Sequence, residues 1–356
     1  MRAAVARDNH LEIDDIAEPV PGSGHVVVKP LATGICGSDL HALQDLRRFA
    51  ELTQRIGGLR AMDPDADTVF GHEFCAEIVD FGPDTRRSLR RGSRVCSIPI
   101  LFGPEGPEAI GYTPRYPGAL AEFMVLQEAL LLPVSDGLDT DRAALTEPLA
   151  VGEHAVALAQ VAEDNVCLVV GCGPVGLAVV AALKARGHGP VLAADFSATR
   201  RRLAEDFGAD EVIDPAEHSP HDRWTSFGIA ANPTERAMAE MLGGTVRDAV
   251  IFEAVGVPGM LQALIDEVPP RSRIVVVGVC MQTDHIEPFI AVAKELDLRF
   301  AFGYSAGEYS LTLDRLRDGA LAVDGLVTDV VTLDAVGEAF EALRSPEGHG
   351  KILVHP

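Results

Sequence analysis

The sequence predicts an α/β protein in two parts, an irregular β-rich region followed by a six-stranded, doubly wound parallel sheet, and three observations carry that prediction. Residues 1–150 hold many short β-like runs broken by Gly and Pro, the texture of short strands joined by tight turns. After Pro148 the texture changes, and from Val166 short Val/Ile/Leu/Ala runs alternate with helical patterns. Strands that read as unbroken apolar runs are those covered on both faces by crossover helices. A glycine-rich segment, Gly171-Cys172-Gly173-Pro174-Val175-Gly176, stands where the first of these runs gives way to a helix. At 356 residues the chain exceeds what one core usually supports, so two domains are expected.

In the first part, Val26-Val27-Val28-Lys29 and Gly92-Ser93-Arg94-Val95-Cys96 read as strands. Leu43 to Ile56 has helical spacing of its apolar residues and is followed by a loop, Asp63-Pro64-Asp65-Ala66-Asp67. The buried strands fall near 166–170, 191–194, 211–213, 248–252, 273–277 and 298–302, and the helix after the glycine segment runs to about Arg186. From about residue 303 the tail carries an amphipathic run (Leu311, Leu313, Leu316, then Leu321), a second one over Val336–Leu343, and a last strand, Lys351-Ile352-Leu353-Val354. This tail is expected to return to the first domain, giving one domain of 1–150 with 303–356 and another of 151–302.

Charge narrows the function classes. Thirty basic against 53 acidic residues leave a net charge of −23, which disfavours nucleic acids and anionic membranes, since both require concentrated positive surface. The six cysteines are spread along the chain with no C-x₂-C pair, so a reduced, cytoplasmic setting is expected. The start, Met1-Arg2-Ala3-Ala4-Val5, opens into a strand-like run without the pattern of a signal peptide. No apolar stretch reaches the roughly 20 residues of a spanning helix.

The glycine segment follows Val166-Cys167-Leu168-Val169-Val170 and opens a helix, the context in which G-x-G-x-x-G holds a diphosphate. Gly171 permits the turn, Gly173 lets backbone amides approach the phosphates, Gly176 lets helix and strand pack closely, and Pro174 and Val175 begin the helix. Without further context such a segment is equally an unliganded turn. Asp195, 19 residues past Gly176 at the end of the second strand, is placed to accept bonds from the adenosine ribose hydroxyls, and its charge repels a 2′-phosphate, so NAD is favoured over NADP. Arg200, Arg201 and Arg202 either weaken that preference or form a solvated basic face; Arg200 can approach the ribose in both cases.

Ahead of the sheet, Cys36, His72, Glu73 and Glu147 read together as an open zinc site. They occupy the contexts Gly-Ile-Cys36-Gly-Ser-Asp-Leu-His41, Gly71-His72-Glu73 and Glu147-Pro148. A thiolate, an imidazole and a carboxylate can hold Zn²⁺ tetrahedrally while leaving a position for water or substrate oxygen. Each residue also has an innocent reading. Cys36 could be a small buried hydrophobe, His72 a core histidine, Glu147 a helix N-terminal charge and His41 a surface histidine.

With these motifs the chain resembles the zinc-dependent medium-chain dehydrogenase/reductase superfamily over essentially its whole length. Within it, the look is closest to the sorbitol, butanediol and threonine dehydrogenase branch. The motifs are Gly34-Ile35-Cys36-Gly37-Ser38-Asp39-Leu40-His41, Gly71-His72-Glu73, Glu147-Pro148-Leu149-Ala150-Val151, the glycine fingerprint with Asp195, and Gly350-Lys351-Ile352-Leu353-Val354. The resemblance implies a GroES-like catalytic domain and a Rossmann domain, with zinc on Cys36, His72 and Glu147. Glu73 would hold a water at the metal or exchange with it as a fourth ligand. Asp39 would orient His72, Ser38 and His41 would relay the proton, and Gly171, Gly173, Gly176, Asp195 and Arg200 would bind NAD. Hydride transfer between a secondary alcohol or polyol and NAD follows, with the zinc polarising the oxygen and the proton leaving through Ser38, the cofactor ribose and His41.

Two departures stand out. Many members carry a second zinc held by four closely spaced cysteines, whereas the matching stretch here, from Cys96 to Gly118, contains only Cys96; one zinc per chain is expected. The segment 42–70 is enlarged, and is expected to project beside the site mouth. The stretch 215–235 around Trp224 is also extended. The alternatives are a zinc-free quinone or enoyl reductase of the same superfamily and a non-catalytic nucleotide-binding protein. The expected partner is a small alcohol or ketone, and a homodimer or homotetramer is expected from the resemblance and the apolar strands near 273–277 and 298–302.

Overall fold

The structure is a computed structural model that describes residues 1–60, 62–345 and 348–356. Its first unit begins with strands β1 (Arg2–Arg7), β2 (His10–Asp15) and β3 (His25–Gly34), then helices α1 (Gly37–Gln44) and α2 (Leu46–Ile56). Next come β4 (Thr68–Val69), β5 (Glu73–Phe81), β6 (Arg94–Ser97), β7 (Ile100–Gly103), β8 (Gly106–Ala109), β9 (Met124–Gln127) and β10 (Leu131–Pro133), then α3 (Thr140–Ala144); α4 (Thr146–Ala159) begins in this unit and from Leu149 belongs to the second. Val26–Lys29 lies within β3, and of Gly92–Cys96 the part from Arg94 lies in β6, with Gly92 and Ser93 ahead of the strand.

The enlarged segment does not simply project. Asp45 caps α2 by accepting from the Arg48 amide, and α2 turns Leu46 and Ala50 into the same core as Phe70, Leu120 and Ile352. Burying one apolar stripe is what holds a short helix in place, since propensity alone leaves three turns marginal. The stretch 96–118 forms the β7–β8 hairpin, where buried Glu108 accepts from Thr113 Oγ1 at 2.7 Å.

The second unit carries β11 (Val166–Val170), α5 (Pro174–Ala185), β12 (Val191–Ala194), α6 (Ala198–Asp206), β13 (Glu211–Ile213), α7 (Pro233–Met241), β14 (Ala249–Glu253), α8 (Met260–Glu267), β15 (Arg273–Val276), α9 (Pro288–Ala293) and β16 (Asp297–Phe300). Each strand lies within two residues of its predicted run. The six pair in parallel in the order β13-β12-β11-β14-β15-β16, so the chain reverses direction of travel across the sheet between β11 and β14. Ligands of such sheets bind beyond the strand C-termini at that reversal. Val166, Cys167, Leu168 and Val169 are fully buried; truncating Leu168 to alanine would cost about 2–5 kcal/mol. The extended stretch forms a 3₁₀ helix, Pro220–Phe227, that sinks Trp224 against the sheet with Ile213, Ile229 and Ile251.

The tail supplies α10 (Ala306–Arg317), β17 (Val327–Thr332), α11 (Val336–Leu343) and β18 (Lys351–His355). In the first unit β18 joins β3 antiparallel and β17 parallel, completing the sheet order β10-β6-β5-β3-β18-β17. The units divide as Met1–Pro148 with Tyr309–Gly319 and Val327–Pro356, against Leu149–Glu308 with Ala320–Leu326. This differs from a boundary at 303: Leu321 lies in the second unit, whose Gly325 sits against Leu203 of α6. Among the described residues no helix is long and apolar enough to cross a membrane, and all six cysteines are free thiols.

Candidate active site

Two strand ends of the first unit bring three candidate metal-ligating side chains together. Cys36 follows the end of β3 and is the N-cap of α1, with Asp39 at the third helical position; Asp39 Oδ2 accepts from the Cys36 amide at 3.1 Å. His72 directly precedes β5. Its approach requires Gly71, whose φ of 103° is strained for a side-chain-bearing residue and whose Cβ would meet the Leu120 amide nitrogen at 2.8 Å. Glu73 opens β5 opposite Gly34 of β3, and a Cβ on Gly34 would fall 2.1 Å from Glu73 Oε2. The absent side chain at 34 is therefore the space the carboxylate fills.

Donor atoms of Cys36, His72 and Glu73 all lie within 4.8 Å of one another. Glu147, in the first turn of α4, is not in that set. It is buried, and its charge is felt at Lys351 and Tyr309. The expectation is zinc on Cys36, His72 and Glu147 with Glu73 holding water or exchanging; the structure brings Cys36, His72 and Glu73 together, with Glu147 outside that group.

The surroundings of the cluster set its electrostatics. Lys351, the first residue of β18, donates to both Glu73 oxygens at 2.8 Å and to the Ile35 carbonyl at 3.0 Å. Asp39 Oδ1 lies 3.3 Å from His72 Nδ1, off the line of a well-formed hydrogen bond, so charge more than a linear bond orients the ring. Burial pulls the His72 pKa down, but the charges of Asp39 and Cys36 outweigh it and hold the imidazole well above its usual value. Burial, with the charge of Glu73, pushes the Cys36 thiol up. A dication would relieve that cost, because it stabilises the thiolate directly. A half-buried thiol with a buried imidazole and carboxylate, the histidine backed by Asp39, form a donor set that fits zinc.

Ser38 Oγ donates to Cys36 Sγ at 3.1 Å and lies 2.8 Å from the Tyr112 hydroxyl, which in turn donates to Asp39 Oδ1 at 2.9 Å. His41, three residues after Ser38 on the same helical face, is half-buried, and burial lowers its pKa. Sequence reasoning missed Tyr112 and the role of Lys351. A lysine opening an apolar strand was a usable signal for the second; Tyr112 lies in a turn and carried none.

In the second unit the glycine turn is closely built. A Cβ on Gly176 would fall 1.8 Å from the Gly171 carbonyl oxygen, so nothing larger lets α5 pack this near β11. Gly173 is the N-cap of α5 and Pro174 its first residue, leaving the amides of Val175 and Gly176 at the positive helix end. Asp195 Oδ2 accepts from the Cys172 amide and Oδ1 from the Ser197 amide, both at 2.7 Å. The Arg200 guanidinium comes within 3.9 Å of the Cβ position of Gly173, and its Nε is buried without a hydrogen-bond partner among the described residues. A cation aimed at an open glycine cradle fits a diphosphate. Arg201 is occupied: it donates to the Asp195 and Phe196 carbonyls and pairs with Asp214 at 2.8 Å.

A nucleotide-binding parallel sheet in one unit and a thiol–imidazole–carboxylate cluster in the other define a metal-assisted dehydrogenase. Residues 22–136 match the alcohol dehydrogenase GroES-like domain, and residues 174–318 match the zinc-binding dehydrogenase family. The (R,R)-butanediol dehydrogenase of Bacillus subtilis (strain 168) is 31% identical over 355 residues, covering 97% of this chain and 96% of that protein. Sorbitol dehydrogenase of the same organism is 30% identical over 373 residues, covering 100% and 97%. The crystal structure of 2R,3R-butanediol dehydrogenase from Bacillus subtilis superposes with a TM-score of 0.79 at 29% identity, covering 100% of this chain and 99% of that one. The chain belongs to the zinc-type medium-chain alcohol and polyol dehydrogenases, oxidoreductases that act on CH–OH donors.

Proposed function

We propose that this dehydrogenase oxidises a secondary hydroxyl of a diol or polyol, or reduces the matching ketone, using NAD and one zinc per chain. The observation that carries the reading is the convergence of Cys36, His72 and Glu73 beside the Ser38–Tyr112–Asp39 hydrogen bonds. Likeness to butanediol and sorbitol dehydrogenases supports a substrate with neighbouring hydroxyls. Retention of the whole donor set disfavours a zinc-free reductase or a non-catalytic relative.

Cys36 and His72 would hold the metal together with one carboxylate. The grip of Lys351 on both Glu73 oxygens favours Glu147 as the standing ligand and Glu73 as the one that exchanges. When bound, zinc supplies a Lewis acid for the substrate oxygen, and NAD supplies the hydride acceptor. Asp39 keeps Nδ1 of His72 protonated and so leaves Nε2 free to ligate. The Ser38 hydroxyl would accept the substrate's proton on a lone pair while giving up its own hydrogen, turned from its resting contacts with Cys36 and Tyr112, toward the cofactor ribose and His41. His41, neutral at pH 7 because burial lowers its pKa, passes a proton onward to solvent. Asp195 supports NAD over NADP by charge, and the engagement of Arg201 elsewhere supports it further.

Largely exposed Phe289, Val292, Phe300 and Phe302 gather near the outer strand β16. Such an apolar edge supports a homo-oligomer, and a monomeric mass by light scattering would contradict it. The deciding experiment is an absorbance screen for NADH formation across secondary alcohols, vicinal diols, polyols and threonine, with NADP in parallel and metal analysis of the same sample. No turnover by zinc-loaded protein across that panel, or two tightly bound zinc ions per chain, would sink the corresponding part of the reading.

A further inference from the structure

The inserted helix α2 ends its business in the core with one half-buried aromatic, Phe49, whose ring meets that of Tyr112 at 5.0 Å between centroids and 34° between planes. The Tyr112 ring is also bounded by Phe70 at 6.0 Å and by the imidazole of His72 at 5.3 Å. We infer that Tyr112 is a positioning residue of the metal site and that α2 acts on the site through Phe49 and this tyrosine. The inference rests on the metal-site reading above.

Hydrogen-bond bookkeeping gives the direction of the effect. A phenol carries one hydrogen and a carboxylate only accepts, so the Tyr112 hydrogen goes to Asp39 Oδ1 at 2.9 Å. Ser38, 2.8 Å away, then turns its own hydrogen toward the phenol oxygen or toward Cys36 Sγ. Oδ1 is also the oxygen that faces His72 Nδ1, while Oδ2 is fixed by the Cys36 amide. The phenol therefore sets the half of the carboxylate that orients the imidazole, and the same hydroxyl fixes the serine placed to take the substrate's proton. Because the His72–Asp39 contact is itself poorly aligned, the carboxylate rotamer leans on its bond from Tyr112. A phenol keeps its hydrogen at neutral pH, so it remains a donor. The ring that carries this hydroxyl is clamped between His72 and Phe49, and Phe49 is fixed because Leu46 and Ala50 of the same helix are buried. The enlarged segment is on this account part of the support of the metal site, beyond any part it has in shaping the pocket.

The test compares wild type, Y112F, F49A and the double variant for zinc affinity by chelator competition, and for the thiolate-to-cobalt absorption band of the cobalt-loaded proteins, with melting temperature as a folding control. Y112F keeps the ring and the packing. It is expected to melt near wild type, to hold zinc about tenfold more weakly, the low end of what changes behind a metal ligand cost, and to shift the cobalt band. F49A is expected to weaken zinc several-fold in the wild-type background and little in the Y112F background, since residues acting through one another are not additive. A Y112F protein with wild-type zinc affinity and an unshifted band overturns the role of Tyr112. An undiminished F49A effect in the Y112F background overturns the route from α2. A wild-type protein lacking any cobalt band that depends on Cys36 would remove the metal-site reading itself, and this inference with it.

Discussion

Lys351 and Glu73 form a two-pronged ion pair across 278 residues of chain, with Nζ 2.8 Å from each carboxylate oxygen and side chains only 2% and 1% exposed. The pair joins the start of β18 to the start of β5, and β3 runs between them. Taking two charges from water is costly, and their attraction recovers that cost only while both are present. Burial lowers the Lys351 pKa, yet the charges of Glu73 and Cys36 raise it overall, so the lysine remains a cation.

Removing one partner should therefore be worse than removing both. K351M leaves Glu73 as a buried, uncompensated charge and is expected to lose about 3–5 kcal/mol of stability in urea unfolding. K351M/E73Q should recover most of it while remaining poor in turnover. A K351M protein as stable as wild type would show that the pair carries no structural role.

Asp39 is held in place by the Cys36 amide and Tyr112, and it faces His72. D39N keeps the shape but can turn an amide N–H toward Nδ1, which favours the wrong imidazole tautomer. A loss of about 10–100-fold in zinc affinity is expected, measured by chelator competition on folded protein. Wild-type affinity in D39N would show that the ring is oriented by packing alone.

The parallel sheet was legible because strands buried on both faces are unbroken apolar runs, and the glycine fingerprint sits between β11 and α5 where close backbone approach admits no other residue. Cys36 and His72 were legible through their short flanking motifs. Less could be read where contacts span the chain. Nothing local to Tyr112 says that it meets Asp39, 73 residues earlier. The place of Glu73 in the cluster depends on the register that sets it opposite Gly34. The packing of α2 was half legible: its helical period showed, but its partners in the core, Phe70 and Ile352, are distant in sequence.

Cofactor choice should turn on Asp195, which both its neighbours' amides hold at the glycine turn. D195S removes the charge that repels a 2′-phosphate and keeps a small polar group. The NAD-to-NADP ratio of kcat/KM is expected to fall at least about tenfold, which corresponds to roughly 1.4 kcal/mol. An unchanged ratio would place discrimination elsewhere, with Arg200 the next residue to substitute.

His221 gives the second unit a dependence on pH. Burial, with the nearby charge of Lys294, lowers its pKa to about 4, and its Nδ1 accepts the indole N–H of Trp224 at 3.3 Å. That bond needs the neutral ring, because imidazolium has no lone pair to offer. In the unfolded chain the same histidine titrates near its ordinary value, about 6.5. Between pH 6.5 and 4 the unfolded state thus binds a proton that the folded state refuses, so stability falls as pH is lowered through this window and is fully retained above it. Allowing for its partial exposure, the loss is about 1–2 kcal/mol. H221N retains an acceptor for the indole but does not titrate, so its melting temperature should fall less than that of wild type from pH 6.5 to 4. Trp224 is the sole tryptophan, and its fluorescence should change with protonation of His221 in wild type and stay flat in H221N. Parallel melting curves for the two proteins across that range would assign the acid sensitivity to other groups.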